Sequence, residues 1–134
     1  MTALEELVVD VREIDRGLVA GFLKPYLRID GPTCGIIPMP AWAEVPNEAR
    51  VLLYLVARKA MRALELPLSL EAASPHDIER ATGIPGGSVR PALKRLLKAR
   101  LVERDIGVGY VVPNYAMIRA GTYVRQWAPD VVAA

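Results

Sequence analysis

The clearest chemical signal in this sequence is a group of basic side chains with no acidic residue among them. Between residues 88 and 100 the chain carries five cations and no carboxylate; the cations are Arg90, Lys94, Arg95, Lys98 and Arg100. The guanidinium fork of an arginine matches the O6 and N7 atoms of guanine, so we expect Arg90 to reach a base. Lys94, Arg95 and Lys98 follow one and two helical turns later, and we expect them to contact phosphates.

Two glycines and a serine stand just before these cations. We expect Ser88 to be the N-cap of a helix over residues 88–100, with Gly86 and Gly87 in the preceding turn. Glycines let the backbone approach a ligand closely, and the N–H groups at a helix N-terminus suit a phosphate. Gly87 and Ser88 are therefore added to the predicted contacts.

The charge distribution along the chain supports this assignment more than the total charge does. The whole chain has a formal net charge of only +2. Residues 1–73 sum to −2, whereas residues 74–112 sum to +3 and the remainder to +1. A basic excess confined to one segment is typical of a surface that meets a polyanion.

A long apolar helix is predicted ahead of the basic segment. Asn47 is a good N-cap, apolar residues recur at helical spacing up to residue 66, and Pro67 stops the pattern. The first half is apolar on most sides, so we expect it to be buried. Arg58 and Arg62 fall opposite the apolar stripe, where they are expected to face solvent.

Shorter elements are predicted on either side of the basic helix. Residues 68–71 alternate apolar and polar side chains, which could form one short strand. Ser74, with Asp77 three residues later, predicts the start of a short helix over residues 75–82 that Gly83 ends. Residues 101–112 alternate around a glycine-rich tip and predict a β-hairpin.

This order of elements resembles the winged-helix superfamily, as in MarR-like and other prokaryotic transcription regulators. The residues that carry the resemblance run from Asp77 to Arg104 and from Gly109 to Pro113, and the likeness covers about half of the chain. It implies a double-stranded DNA-binding protein, a transcriptional regulator, that reads the major groove with helix 88–100. The wing at residues 103–110 would meet the backbone, with Arg104 and Tyr110 flanking its tip.

The resulting fold expectation is a mainly α protein with a small β-hairpin wing. Residues 1–45 are expected to form an N-terminal helical segment followed by a Pro/Gly-rich extended loop or short edge strand. Helices are predicted over 2–9 and roughly 13–28, and Pro25 predicts that the second helix ends or kinks near Lys24. Residues 46–113 form the winged helix-turn-helix domain. Residues 114–134 form a C-terminal helix, capped by Asn114, and a tail.

The apolar residues of the C-terminal helix have two interpretations. Met117, Tyr123, Val124 and Trp127 either pack back onto the core or form the seam of a homodimer with the N-terminal helices. Prokaryotic winged-helix regulators usually bind as two-fold dimers, so we expect a homodimer.

Two other functions remain open from the sequence. A winged helix can dock a protein partner instead of DNA, using the basic face or an apolar groove near Trp42 and Ile36–Ile37. A small-molecule effector between the N-terminal segment and the long helix is a third possibility.

Few residues in the chain are suited to catalysis or to metal binding. The single cysteine, Cys34, cannot form an internal disulfide, and with the single histidine, His76, it cannot build a zinc site unaided. No carboxylate pair, phosphate loop or nucleophile motif stands out, so we expect no catalytic residues, cofactor or metal, and no enzyme. The longest apolar run, residues 51–57, is too short to span a bilayer. We expect a complete cytoplasmic chain without a signal peptide.

Overall fold

The protein is mostly helical, with two small antiparallel hairpins. A computed structural model describes residue 4, residues 15–105, residue 107 and residues 109–127. The helices are α1 (Arg16–Leu23), α2 (Asn47–Ala63), α3 (Pro75–Thr82), α4 (Gly86–Lys98) and α5 (Met117–Arg125). The strands are β1 (Leu27–Ile29), β2 (Ile36–Pro38), β3 (Glu103–Asp105) and β4 (Gly109–Val111), with 3-10 turns at Pro40–Glu44 and Asn114–Ala116. Within the described residues, no helix is long and apolar enough to cross a membrane.

Helix α2 is the centre of the core, as its apolar pattern predicts. Residues 51–57 are all buried, and α1, α3, α4 and α5 pack around the helix. The predicted cap at Asn47 is wrong, because the helix starts after Pro46 and no side chain caps it. The Asn47 amide oxygen instead accepts a hydrogen bond from Nη1 of Arg50, at 3.0 Å.

The N-terminal helix is shorter than the predicted range 13–28, and it ends near Lys24, as Pro25 predicts. Helix α1 begins after Asp15, whose Oδ1 accepts the backbone N–H of Leu18 at 3.0 Å, and it ends at Leu23, two residues before Pro25. The next residues form β1, which pairs with β2 in the register Leu27 to Pro38. The Pro/Gly-rich loop therefore contains one strand of a hairpin, whose partner comes from the predicted helix. The predicted helix over residues 2–9 lies outside the described residues.

Arg58 lies inside the protein, although its position in the helical pattern predicted exposure. The residue is 8% exposed, and its guanidinium donates to the backbone oxygens of Leu70, Glu71 and Ala72 at 2.8–3.0 Å. It also donates to the hydroxyl of Tyr54 at 3.0 Å. These bonds hold the chain between α2 and α3 against α2.

The strand predicted over residues 68–71 does not form. The carbonyls of residues 70 and 71 bond to Arg58, and the β-pairing occurs two residues later, at Ala73. Ala73 and Tyr110 exchange both backbone hydrogen bonds, at 3.0 and 2.8 Å. Gly109 makes this pairing possible, because a Cβ at that position would lie 2.3 Å from the carbonyl carbon and oxygen of Ala73.

Helix α3 forms as predicted. Ser74 and Asp77 make a reciprocal capping box, in which each side chain accepts the other residue's backbone N–H at 3.1 and 3.0 Å. The backbone N–H of Ser74 holds the pKa of Asp77 below its ordinary value, because it stabilises the ionised carboxylate. Gly83 ends the helix in the left-handed conformation, with φ of 75°.

Helix α4 begins two residues before the predicted start. Its N-cap is Pro85, so the prediction that Ser88 caps the helix is wrong, and Ser88 lies within the first turn. Pro85 explains the difference, because its φ of −58° already suits a helix start. Pro91 therefore lies in the second turn. It has no N–H for the carbonyl of Gly87, but both residues are exposed, so water can satisfy that carbonyl.

The buried guanidinium leads to a stability prediction. Arg58→Met keeps an apolar stem but leaves three backbone carbonyls without their donor, so we expect the free energy of unfolding to fall by roughly 2–4 kcal/mol. Urea denaturation followed by circular dichroism measures the change. The control is Arg62→Met, because Arg62 is exposed and donates to the Leu68 carbonyl alone among the described residues. Equal losses in the two variants would contradict the assigned role.

Candidate nucleic-acid interface

The two faces of α4 separate apolar from basic side chains. Its inner face is buried and consists of Val89, Ala92, Leu93 and Leu96. The outer ridge, at spacings of four, three and four residues, consists of Gly87, Pro91, Lys94 and Lys98, and all four are exposed. The predicted lysine contacts thus lie at the centre of the outward face. Pro91 also lies there, although it carries no charge or donor that would mark it as a contact in the sequence.

Arg90 lies on one flank of the ridge, beside α3. A Cβ on Gly86 would lie 3.4 Å from Nη1 of Arg90 and 2.8 Å from Oε2 of Glu79, so both side chains approach this glycine. Arg90 is exposed as predicted, but a carboxylate from the neighbouring helix lies close to its guanidinium. Glycine at position 86 leaves the space in which Glu79 and Arg90 meet the start of α4.

Arg95 lies on the opposite flank, beside α2. Its Nε donates to Oε1 of Glu48 in an ion pair, and its side chain remains 60% exposed. The sequence could not reveal this pair, because Glu48 lies 47 residues away and only the packing of α2 against α4 brings the two together. One of the predicted phosphate-binding cations is therefore partly neutralised within the protein.

Ser88 is half-buried and lies off the ridge. It lines a cleft of about 380 Å³ together with Pro46, Asn47, Glu48, Gly87, Pro91, Arg95 and Trp127. Its backbone N–H donates to the carbonyl of Pro85 at 2.8 Å. No side chain among the described residues forms a capping hydrogen bond with α4, so the helix start is open beside Gly87, while the Glu79 carboxylate lies next to Gly86 at the same positive end of the helix dipole.

The β3–β4 hairpin holds Arg104 over an aromatic ring. Arg104 pairs across the strands with Tyr110, and its guanidinium carbon lies 5.6 Å from the centre of the Tyr110 ring. This cation–π contact orients the charge at the hairpin. Glu103 and Asp105 flank it, and the hydroxyl of Tyr115 donates to Glu103, which raises the pKa of that tyrosine. Two tip residues, 106 and 108, lie outside the described residues.

The end of α4 is fixed to α5. Nη2 of Arg119 donates to the carbonyl of Arg100 at 2.8 Å, and Arg100 adopts a left-handed conformation with φ of 61°. Its side chain is exposed and follows Lys98 at the end of the basic segment. No pattern in the sequence identifies Arg119 as the residue that binds the carbonyl of Arg100.

The predicted dimer seam is divided between core and surface. Met117 and Val124 are buried within the protomer, and Tyr123 is half-buried with its ring 4.7 Å from that of Trp127, edge to face. Helix α5 continues through Gly121, which contacts Phe22 of α1. Among the large apolar side chains of α1 and α5 that the structure describes, those left exposed are Leu18 and Ile118, at 37% and 71%.

The single histidine, the single cysteine and the apolar residues near Trp42 lie in three different places. His76 is exposed in the first turn of α3. Cys34 is half-buried in the β1–β2 turn with φ of 59°. Trp42 is 8% exposed and belongs to the core, whereas Ile37 is 50% exposed.

The basic ridge, the open helix start and the hairpin lie on one continuous stretch of chain, residues 86–111. Comparison of the chain with protein-family models, with curated proteins and with solved structures finds no match in any of the three.

Proposed function

We propose that the protein binds double-stranded DNA with α4 and acts as a transcriptional regulator. The observation that carries the proposal is the outward ridge of α4, where Lys94 and Lys98 are exposed in line with Gly87 and no carboxylate lies on the ridge itself. A basic helix of 13 residues fits the major groove of B-DNA, which admits a single α-helix.

The surrounding elements support a winged helix-turn-helix assignment. Helices α3 and α4 pack together and are joined by three residues, 83–85, of which Gly83 ends α3 and Ile84 is buried. A three- or four-residue turn containing glycine is typical of the helix-turn-helix motif. The bridge from Ala73 to Tyr110 adds a third strand position to the β3–β4 hairpin, which corresponds to the small sheet of a winged helix.

The exposed residues of α4 and the β3–β4 hairpin have different roles in the proposed complex with DNA. Lys94 and Lys98 neutralise phosphates across the groove, and Arg90 reaches a base edge from the flank of the ridge. Gly87 and Ser88 bring the open start of α4 close to a phosphate. Arg104, held over Tyr110, meets the flanking backbone. Glu103 and Asp105 reduce the positive charge of the hairpin, so α4 supplies most of the affinity.

A salt titration tests the proposal. Each phosphate contact contributes roughly 0.9 to the slope of log K against log salt, so Lys94→Ala combined with Lys98→Ala should lower that slope by about 1.8. Fluorescence anisotropy with a random pool of 30-base-pair duplexes measures it. The matched control, Lys24→Ala combined with Arg62→Ala, removes the same charge from exposed positions on α1 and α2 and should leave the slope unchanged.

The same titration separates DNA binding from the rival function. A chain that shows no salt-sensitive anisotropy change at low ionic strength does not bind DNA in this way. Retention of a protein partner after nuclease treatment would then support a protein-docking module that uses the same basic face.

The ion pair between α2 and α4 predicts a variant with stronger binding. Glu48→Gln removes the carboxylate that neutralises Arg95, so Arg95 becomes available to a phosphate and the salt slope should rise by up to about 0.9. Glu44→Gln is the control, because Glu44 is exposed in the preceding 3-10 turn and makes the same change in net charge. Identical slopes for the two variants would remove Arg95 from the interface.

We also propose that the protein forms a homodimer through α1 and α5. Leu18 and Ile118 line a groove of about 290 Å³ between these helices, together with Gly17, Gly21 and Gly121. A second copy fits this surface, because glycines four residues apart on α1 allow a helix to approach closely and the exposed leucine and isoleucine gain burial. A two-fold dimer would also place two copies of α4 on one duplex.

Sedimentation equilibrium tests the dimer. Ile118→Glu places a charge where apolar area would be buried, so the dimer dissociation constant should rise at least about tenfold. Ala81→Glu is the control, because Ala81 is exposed on α3 and does not line this groove. An unmodified chain that sediments as a monomer at every concentration reached would contradict the proposed interface.

A further inference from the structure

A second groove lies on the part of the protein formed by α1, β1 and the last turns of α2. Its volume is about 420 Å³, within the range of roughly 300–1,000 Å³ that is usual for small-molecule sites. The residues that line it are Arg16, Val19, Ala20, Leu23, Lys24, Leu27, Arg28, Ile29, Ala60, Ala63 and Leu64. It shares no residue with the basic ridge or with the surface proposed for the dimer.

The groove exists because small side chains stand where α1 crosses α2. Ala20 of α1 faces Ala60 and Ala63 of α2, and alanine leaves the space that a larger residue would fill. Val19 and Leu23 close the inner wall and are buried in the core. The wall is therefore apolar along its length, which suits a hydrocarbon and offers no acceptor or donor for a sugar or a base.

Three cations form the rim, and two of them are fixed in place. Nη2 of Arg16 donates to the carbonyl of Ala63 at 2.8 Å, and Nη1 of Arg28 donates to the carbonyl of Leu27 at 3.0 Å. A guanidinium has five N–H donors, so each arginine keeps further donors for a ligand. Lys24 is the third cation, and no carboxylate occurs among the described residues that line the groove.

We propose that this groove binds a small organic anion with an unbranched apolar chain, such as a medium-chain carboxylate. The chain would lie against the alanines and Leu27, and its head group would meet Arg16, Lys24 and Arg28 at the rim. A positively charged amphiphile is rejected by the same three cations. The site stands independently of DNA binding, since it uses none of the residues of α4.

Isothermal titration calorimetry with hexanoate, octanoate and decanoate tests the apolar wall. Each added methylene group should lower Kd about fourfold for as long as the groove buries it. Octan-1-ol and octyltrimethylammonium test the rim, because they carry a neutral or a positive head group on an alkyl chain one carbon longer than that of octanoate, so a preference for octanoate must come from its head group. Octanoate should bind at least about tenfold more tightly than either.

Two exposed positions allow the site to be altered without disturbing the core. Ala20→Trp fills the groove and should abolish octanoate binding, whereas Ala81→Trp, on the exposed side of α3, should not. Lys24→Glu should weaken octanoate at least about tenfold and leave octan-1-ol unchanged. A cooperative thermal unfolding transition shows that each variant is folded. A rise of the unfolding midpoint when octanoate is added shows that the variant binds octanoate.

Three results would overturn the inference. Equal affinity for the three head groups would remove the anion preference, and full binding by Ala20→Trp would place the ligand elsewhere. An absence of binding by every compound would show that the groove is not a site for small amphiphilic anions. Loss of DNA binding in the Lys94 and Lys98 variant would not affect any of these measurements.

Discussion

The burial of α2 on nearly all sides is the constraint on which the rest of the structure depends. A helix whose residues 51–57 are all buried must be covered by other elements, and it must satisfy every polar group that it carries into the interior. Arg58 and Lys59 are the two cations in this position, at 8% and 4% exposure. Arg58 binds the carbonyls of residues 70–72. Nζ of Lys59 bonds to Glu71 at 3.1 Å and to Asn114 at 2.6 Å.

These two cations connect α2 to the chain on either side of the segment that contains α3, α4 and the β3–β4 hairpin. The chain that leads into α3 is fixed by Arg58, and the chain that leaves the β3–β4 hairpin is fixed by Lys59 through Asn114. Helix α4 is held between them by its buried stripe, where each valine or leucine contributes about 1.5–3 kcal/mol of burial. The inner face of α4 is thus fully used in packing, which leaves its lysines outward. The Glu48 carboxylate of α2 then neutralises part of the charge of Arg95 on one flank of the ridge.

What the sequence could predict depended on how local each determinant is. The capping box of α3 and the stop at Gly83 are confirmed, because each depends on residues within a few positions of one another. The exposure of Arg58 was predicted wrongly, since its partners are carbonyls 12–14 residues away that no side-chain pattern reveals. The β1–β2 hairpin was missed for the same reason: Pro25 could be read as a helix stop, but the pairing of Leu27 with Pro38 depends on the turn between them. Ser88 failed as a cap because Pro85 competes for the same helix start.

For the candidate interface, the sequence identified the cations but not how free each one is. All of the predicted basic residues from Arg90 to Arg100 are exposed, yet Arg95 pairs with Glu48 and Arg90 lies near Glu79. A count of charges along the chain therefore overstates the positive potential at the ridge, where Lys94 and Lys98 have no ion-pair partner among the described residues.

Helix α2 reaches from this surface to the α1 groove. Glu48 in its first turn pairs with α4, and Ala63 at its end lines the groove. The two residues are roughly 20 Å apart at 1.5 Å per residue. Such a connection would transmit a signal only if the ligand favoured one of two arrangements of α2. A ligand that merely filled the groove would stabilise the fold without changing the affinity of α4 for DNA.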